Sequence, residues 1–165
     1  MPEPTTSLVI NTGPLIALIA GTGDLGLLRD LYARVLVPRE VCQEMTVGGE
    51  QAFGHAAFER AAWLDKRPDP IEIPQLLRNS LDPGEASVIQ LAIVEKIGTV
   101  CIDETVGRRV ARLSGLSLTG SLGILVRAQR EGHPVSVSRA IDRMKQHGIW
   151  LGDRLIDSVL RLAGE

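Results

Sequence analysis

The chain has 165 residues and a formal net charge of −2, and 44 % of its residues are hydrophobic and 23 % charged. These values are typical of one folded domain of about 100 to 200 residues, and they exclude a disordered or low-complexity chain. The sequence has no apolar run near the roughly 18 to 20 residues that span a membrane, and it begins without the basic and apolar order of a signal peptide. We therefore expect a cytoplasmic protein without membrane association, in which residues 1–165 form a single domain.

The first half of the chain alternates short apolar runs with helical patterns. Strands are predicted over residues 8–10 and 35–37, with a brief edge strand over 63–66 and a loop over 68–74. Pro14 favours the start of a helix that includes the LIALIA run, because proline is common at the first helical position. Further helices are predicted over 24–32, from about Arg39, and over the Ala-rich residues 50–62.

The second half continues the alternation. Asp82 and Pro83 form a helix start, with a capping side chain followed by proline, and the helix is predicted to run to about Lys96. Strands are predicted over 99–102 and 116–118. Between these two strands a helix places three apolar residues on one stripe, namely Val106, Val110 and Leu113. Three more helices are predicted over 121–130, 136–146 and 153–162.

Short, continuously apolar strands separated by helices indicate an α/β fold with a parallel sheet covered on both faces. Ligands of such sheets bind beyond the carboxyl ends of the strands, where Asn11, Asp103 and Thr119 are expected. Two more acids are expected near them. Glu85 lies on the apolar stripe of its predicted helix, and Glu44 follows the second strand by one helical stretch.

Carboxylates that are forced together raise one another's pKa unless a cation neutralises them, and oxygen ligands favour Mg²⁺ or Mn²⁺. Such a cation would activate water for phosphodiester cleavage. Each residue also has a structural interpretation. Asp103 could cap the next helix, Glu85 could complete the cap that Asp82 begins, Asn11 suits a turn, and Glu44 could be surface charge.

The basic residues concentrate in the last third of the chain. Residues 103–165 hold 10 basic and 7 acidic side chains, and Arg108, Arg109 and Arg112 lie on one predicted helix. Because guanidinium groups bind phosphate through a planar fork, this cluster could form an anion-binding face. The alternative interpretation is an ordinary solvated surface.

The run GTGDLG at residues 21–26 matches the GxGxxG pattern of dinucleotide sites, and Glu40 follows Gly21 by 19 residues. This interpretation needs a strand immediately before Gly21. Pro14 and the strand at 8–10 instead predict a helix there, which leaves a glycine-rich link between two helices as the alternative.

Five segments occur in the order seen in PIN-domain proteins: VINTGPLIAL, VPREVCQEM, LDPGEASVIQLA, VCIDETVGRRVA and LTGSLGIL. The chain resembles in particular the PIN-like group DUF3368. The resemblance implies a three-layer α/β/α sandwich around a parallel sheet of order 3-2-1-4-5, with helices from about 136 to 165 packed on the same domain. It also implies an acidic Mg²⁺ or Mn²⁺ pocket, and cleavage of single-stranded RNA by the toxin of a toxin–antitoxin pair. A homodimer and a small antitoxin protein are the expected protein partners.

Mapped onto this sequence, the resemblance assigns the metal ligands to Asn11, Glu44, Glu85 and Asp103, with Glu104 as the alternative to Asp103. Glu44, Glu85 and Asp103 are the expected catalytic acids. The expected substrate-binding residues are Thr12 and Ser121, which match hydroxyl positions of the family, and the arginines Arg108, Arg109 and Arg112.

Asn11 departs from the family, because active PIN nucleases usually have Asp at this position. An amide oxygen can still bind a metal, but it removes one negative charge and cannot act as a base. The alternative function is therefore a catalytically weak or inactive PIN-fold module that binds RNA or protein.

Overall fold

The computed structural model describes residues 6–165, and within this range one sheet holds five strands in the order β3-β2-β1-β4-β5. The strands are β1 (Ser7–Ile10), β2 (Arg34–Val37), β3 (Asp65–Lys66), β4 (Thr99–Cys101) and β5 (Ser117–Thr119). All neighbouring strands are parallel. The predicted order 3-2-1-4-5 is confirmed, and helices flank the sheet in the three-layer α/β/α arrangement.

The helices divide between the two faces of the sheet. They are α1 (Thr12–Thr22), α2 (Gly26–Leu31), α3 (Arg39–Thr46), α4 (His55–Arg60), α5 (Gln75–Ser80), α6 (Pro83–Val94), α7 (Thr105–Leu113), α8 (Ser121–Arg130), α9 (Val137–Gln146) and α10 (Asp153–Ala163). Helix α6 contacts β1 and β4 and is flanked by α3, α5 and α7. Helices α1, α8 and α9 pack together, and α10 packs against α8 and α9. None of the helices in residues 6–165 is long and apolar enough to cross a bilayer.

The central strands are apolar on both faces because helices cover both sides of the sheet. Leu8, Val9 and Ile10 of β1 have no exposed surface, and Val100 and Cys101 of β4 are equally buried. The register pairs Ile10 with Cys101, so β1 and β4 end side by side. The residues that follow these strands therefore leave the sheet at the same edge.

The predicted helix over 50–62 is confirmed only over His55–Arg60, because glycines divide this segment. Gly49–Gln51 form a 3-10 turn, and α4 begins only at His55, after Gly54 with a φ of 82°. This left-handed conformation suits glycine and does not continue a helix. The short helix α5 was not predicted, whereas β3 lies at the edge of the sheet as expected.

The apolar stripe predicted on α7 lies largely at the surface, and of its three residues only Val110 packs partly against the core. Val106 and Leu113 are 58 % and 79 % exposed, whereas Gly107 and Ala111 face the interior. Small residues let α7 approach its neighbours closely, since a Cβ on Gly107 would contact Ile102 and the Glu85 carboxylate. This close packing, rather than burial of the larger apolar side chains, decides which side of α7 faces inward.

The glycines of the GTGDLG run have structural roles. Gly21 lies where α1 crosses α9, and a Cβ there would be 3.0 Å from Met144 Cε and 3.2 Å from the Ala140 carbonyl oxygen. Gly23 ends α1 with a φ of 91°. The LIALIA run is helical, so the strand required by a dinucleotide site does not precede Gly21.

We predict that Gly21→Ala lowers the free energy of unfolding by about 1 to 3 kcal/mol, because the added methyl group overpacks the α1–α9 contact. Gly98→Ala, at an exposed glycine, is the control. A Cβ on Gly98 would meet no atom within 4 Å outside the adjacent residues and its φ is not positive, so alanine there should be close to neutral. Urea unfolding of both variants measures the difference, and equal stabilities would contradict the proposed close contact.

Candidate functional site

Asn11 follows β1 at the carboxyl edge of the sheet and is 6 % exposed. Its backbone N–H donates to the Cys101 carbonyl at 3.1 Å, which ties the end of β1 to β4. Asn11 stands at the N-cap of α1 but makes no side-chain capping bond. Its buried Oδ1 accepts no hydrogen bond from any described residue. A buried acceptor without a donor is destabilising by about 1 to 3 kcal/mol, so this oxygen marks a place where a ligand would stabilise the fold.

Glu44 reaches the same place from α3. Its Oε2 accepts a hydrogen bond of 2.7 Å from Thr12 Oγ1, so the predicted hydroxyl residue orients an acid. The Glu44 carboxylate and Asn11 Oδ1 both lie against the Cα of Gly84. A Cβ on Gly84 would overlap the carboxylate and would lie 3.3 Å from the amide oxygen. The first turn of α6 therefore leaves room for these oxygens only because it carries glycine.

Glu85 occupies the first turn of α6, on the side that faces the sheet. It is 7 % exposed, and its buried Oε2 has no hydrogen-bond partner among the described residues. Asp82 caps the helix by accepting from the Glu85 N–H at 2.8 Å. The Glu85 carboxylate contacts Gly107 of α7, where a Cβ would overlap it.

The pKa of Glu85 is raised from 4.5 to about 8, chiefly by burial. The neighbouring Asp82 carboxylate, through hydrogen bonding and charge, contributes to this rise, and so do the charges of Glu104 and Glu44. Without a cation, Glu85 is therefore mostly protonated at neutral pH. A nearby cation would favour the charged carboxylate instead.

Asp103 follows β4 and is held by the start of α8. Its Oδ1 accepts from the Ser121 N–H at 2.8 Å, and its Oδ2 accepts from Ser121 Oγ at 2.9 Å. The N-cap residue of α8 is Gly120, which has no side chain, so Asp103 supplies the capping carboxylate from the neighbouring strand. A Cβ on Gly120 would lie 2.7 Å from Asp103 Oδ1.

Each of the three predicted acids thus lies against the Cα of a glycine: Glu44 against Gly84, Glu85 against Gly107, and Asp103 against Gly120. These glycines were not predicted as part of the site. A signal was available, because glycine inside a helix costs about 1 kcal/mol relative to alanine and often marks a close approach. Gly84 and Gly107 both stand inside helices, next to the acidic motifs.

The acids form a distributed group rather than a closed site. The charges of Glu44 and Glu104 both act on Glu85, whereas Asp103 is bonded to Ser121. Glu104 is exposed and precedes α7 without making a capping bond. In the part of the chain that the structure describes, no three His, Cys, Asp or Glu side chains are arranged to hold a metal.

The donor atoms nevertheless fit a hard divalent cation. Two buried oxygens, Asn11 Oδ1 and Glu85 Oε2, have no partner among the described residues, and the Glu44 carboxylate lies beside the first of them. Carboxylate and amide oxygens are the ligands that Mg²⁺ and Mn²⁺ prefer. This edge of the sheet could therefore hold such an ion through side-chain oxygens together with water.

The three predicted arginines differ in their surroundings. Arg108 is half-buried, and its Nη1 donates to the carbonyls of Ile102 at 2.7 Å and Thr119 at 3.2 Å. Arg109 and Arg112 are exposed on α7. The expected anion-binding cluster is therefore divided between one arginine bonded to the backbone and two that face solvent.

We predict that, in EDTA, the free energy of unfolding falls as the pH rises from about 4.5 to about 8. The folded protein keeps the Glu85 proton over this range while the unfolded chain loses it. Glu85→Gln removes the titration and should reduce the fall by up to about 4 kcal/mol. Urea unfolding at pH 5 and pH 8.5 measures the fall in the free energy of unfolding. Glu50→Gln, which changes an exposed glutamate, is the control. An equal fall in wild type and Glu85→Gln would disprove the buried protonated carboxyl.

Comparison with curated proteins finds none that matches this chain. A family model does match: DUF3368, a PIN domain, over residues 7–165. The matched range begins with β1 and includes Asn11, Glu44, Glu85 and Asp103. The resemblance to PIN-domain proteins is confirmed. The parallel sheet also has the strand order that this resemblance implies. The chain belongs to the PIN-domain family DUF3368.

Proposed function

We propose that this PIN-domain protein is a divalent-metal-dependent endoribonuclease that cleaves single-stranded RNA. PIN domains are generally nucleases and typically use divalent metal ions, so family membership supports a nuclease-like role. The observation that carries the proposal is the pair of buried, unpartnered oxygens on Asn11 and Glu85, with the Glu44 carboxylate beside Asn11. A cation at this edge would satisfy these oxygens and would offset the repulsion between the acids.

In this proposal Asn11, Glu44, Glu85 and Asp103 hold Mg²⁺ or Mn²⁺, and Glu104 is the alternative to Asp103. The bound ion would supply an activated water and would stabilise charge on the phosphate. Thr12 and Ser121 keep Glu44 and Asp103 oriented through the hydrogen bonds already described. Water attacks phosphorus and the bond to the 3′ oxygen breaks, which leaves a 5′-phosphate and a 3′-hydroxyl.

The exposed arginines of α7 support a nucleic-acid substrate. Arg109 and Arg112 are exposed on α7, the helix that begins directly after Glu104. Contacts between arginines and phosphates supply most of the sequence-independent affinity for RNA. They also offset the repulsion that an acidic site exerts on a polyanion.

The toxin role belongs to the same proposal, with a small antitoxin protein and a second copy of the chain as protein partners. These assignments are supported by the resemblance to toxin-type PIN domains. The identity of the protein encoded beside this chain tests the antitoxin assignment. A short acidic or DNA-binding protein encoded there would support it.

Asn11 favours a second candidate function, a PIN-fold module that binds RNA or protein without cleaving it. An amide at this position removes one negative charge from the ligand set and weakens its attraction for a cation. Both functions would use the same binding face. They differ in whether RNA that is bound there is cleaved.

We predict that the purified protein degrades single-stranded RNA in Mn²⁺ and that EDTA stops the reaction. Asp103→Asn should lower the rate at least about 100-fold, since even residues that only support metal ligands typically cost 10- to 100-fold. The amide oxygen of the variant can still accept from the Ser121 N–H, so the fold should persist. Product formation on labelled RNA measures the effect, with single-stranded DNA of the same sequence as a substrate control.

Asp142→Asn, an exposed acid on α9, is the matched control and should cleave RNA like the wild type. Equal residual activity in the Asp103→Asn preparation would identify a contaminating nuclease. That result, together with binding of intact RNA, would favour the non-catalytic module.

We predict that Asn11→Asp tightens Mn²⁺ binding about tenfold, because a carboxylate adds charge to the ligand set. The variant should be less stable than wild type in EDTA, because the new charge lies near Glu44. Mn²⁺ should restore its stability. Titration calorimetry and thermal melting measure the two effects, and Gln146→Glu adds one charge at an exposed position as control. Unchanged Mn²⁺ affinity would exclude position 11 from the ligand set.

A further inference from the structure

Arg108 joins the ends of two strands. Its Nη1 donates to the Ile102 carbonyl at 2.7 Å and to the Thr119 carbonyl at 3.2 Å. The Thr119 carbonyl also accepts from the Ile102 N–H at 3.1 Å, so one guanidinium nitrogen completes a small network between the ends of β4 and β5. The side chain is half-buried, unlike its neighbour Arg109.

The two bonded carbonyls have a special position in the chain. The Ile102 carbonyl belongs to the peptide group that leads into Asp103, and the Thr119 carbonyl belongs to the group that leads into Gly120. Fixing these two peptide groups fixes where Asp103 leaves β4 and where α8 begins. Asp103 and Ser121 then meet through two hydrogen bonds.

Gly120 lies between the arginine and the acid. A Cβ on Gly120 would be 3.1 Å from Arg108 Nη1 and 2.7 Å from Asp103 Oδ1. Both groups therefore press against the same Cα. The guanidinium also brings a positive charge close to Asp103 without forming an ion pair with it among the described residues.

We propose that Arg108 is a positioning residue that holds the Asp103–Ser121 pair in place through the ends of β4 and β5, and that it is not a contact for RNA. The proposal rests on the proposed function where it treats Asp103 as a metal ligand. The other part of the proposal, that the hydrogen bonds of Arg108 orient Asp103, does not depend on the proposed function. Arg109 and Arg112, which face solvent, are left as the phosphate contacts of α7.

The experiment compares Arg108→Gln, Arg108→Lys and Gly120→Ala with wild type. Gly120→Ala places a methyl group between Asp103 and Arg108 while keeping the arginine charge, and the φ of −138° at Gly120 is open to alanine. Arg130→Gln removes one exposed charge from α8 and is the control. Three quantities are measured: hydrogen exchange at the Ser121 amide, Mn²⁺ affinity by calorimetry, and RNA affinity in EDTA by fluorescence anisotropy.

We expect Arg108→Gln and Gly120→Ala to accelerate Ser121 exchange and to weaken Mn²⁺ binding about 10- to 100-fold, the usual effect of removing support from a ligand. Arg108→Lys can still donate to both carbonyls. It should therefore recover part of the slow Ser121 exchange and part of the Mn²⁺ affinity. RNA affinity in EDTA and its salt dependence should stay at the wild-type values. Arg109→Gln should instead lower the slope of log affinity against log salt by about 0.7.

The opposite pattern would overturn the proposal. If Arg108→Gln weakens RNA binding and its salt slope as Arg109→Gln does, while Ser121 exchange stays unchanged, Arg108 is a phosphate contact. If wild type binds no Mn²⁺, the metal half of the proposed function fails. Ser121 exchange then still decides whether Arg108 positions Asp103, since this readout needs neither metal nor activity.

Discussion

The parallel pairing of β1 with β4 is the constraint on which the site depends. It places Ile10 opposite Cys101, and the Asn11 N–H extends the ladder by bonding to the Cys101 carbonyl. Parallel strands end at the same edge of a sheet, so polar residues distant in the sequence leave the core together. A shift of this register by one residue would exchange the two faces of each strand, so the buried side chains on both faces would have to repack.

Repulsion between acids opposes this arrangement, and the fold accommodates it in four ways. Glu85 is buried and holds its proton, whereas Glu44 and Asp103 are exposed and accept hydrogen bonds from Thr12 and Ser121. Arg108 adds a positive charge beneath the same edge. Glycine at three contact points leaves the space that the acids occupy, because a Cβ at each of these points would overlap a carboxylate.

Much of this arrangement could be predicted from sequence. The apolar strands, the Asp82 cap and the inward side of α6 follow from local patterns that the structure preserves. The orientation of α7 could not be predicted, because its hydrophobic periodicity favours Val106 and Leu113 while tertiary packing selects Gly107 and Ala111. The bonds of Arg108 and the contacts of the three glycines join elements distant in the chain. Composition and spacing do not report such contacts.

The capping of α8 by Asp103 has a further consequence. Because Gly120, the N-cap residue of α8, has no side chain, the carboxylate that caps the first turn of this helix comes from Asp103, which follows β4. Helices α9 and α10 pack on α8, so the two hydrogen bonds of Asp103 tie the acidic edge to the start of the carboxyl-terminal helices. A movement of Asp103 away from Ser121 would break both bonds, and the first turn of α8 would lose its capping carboxylate.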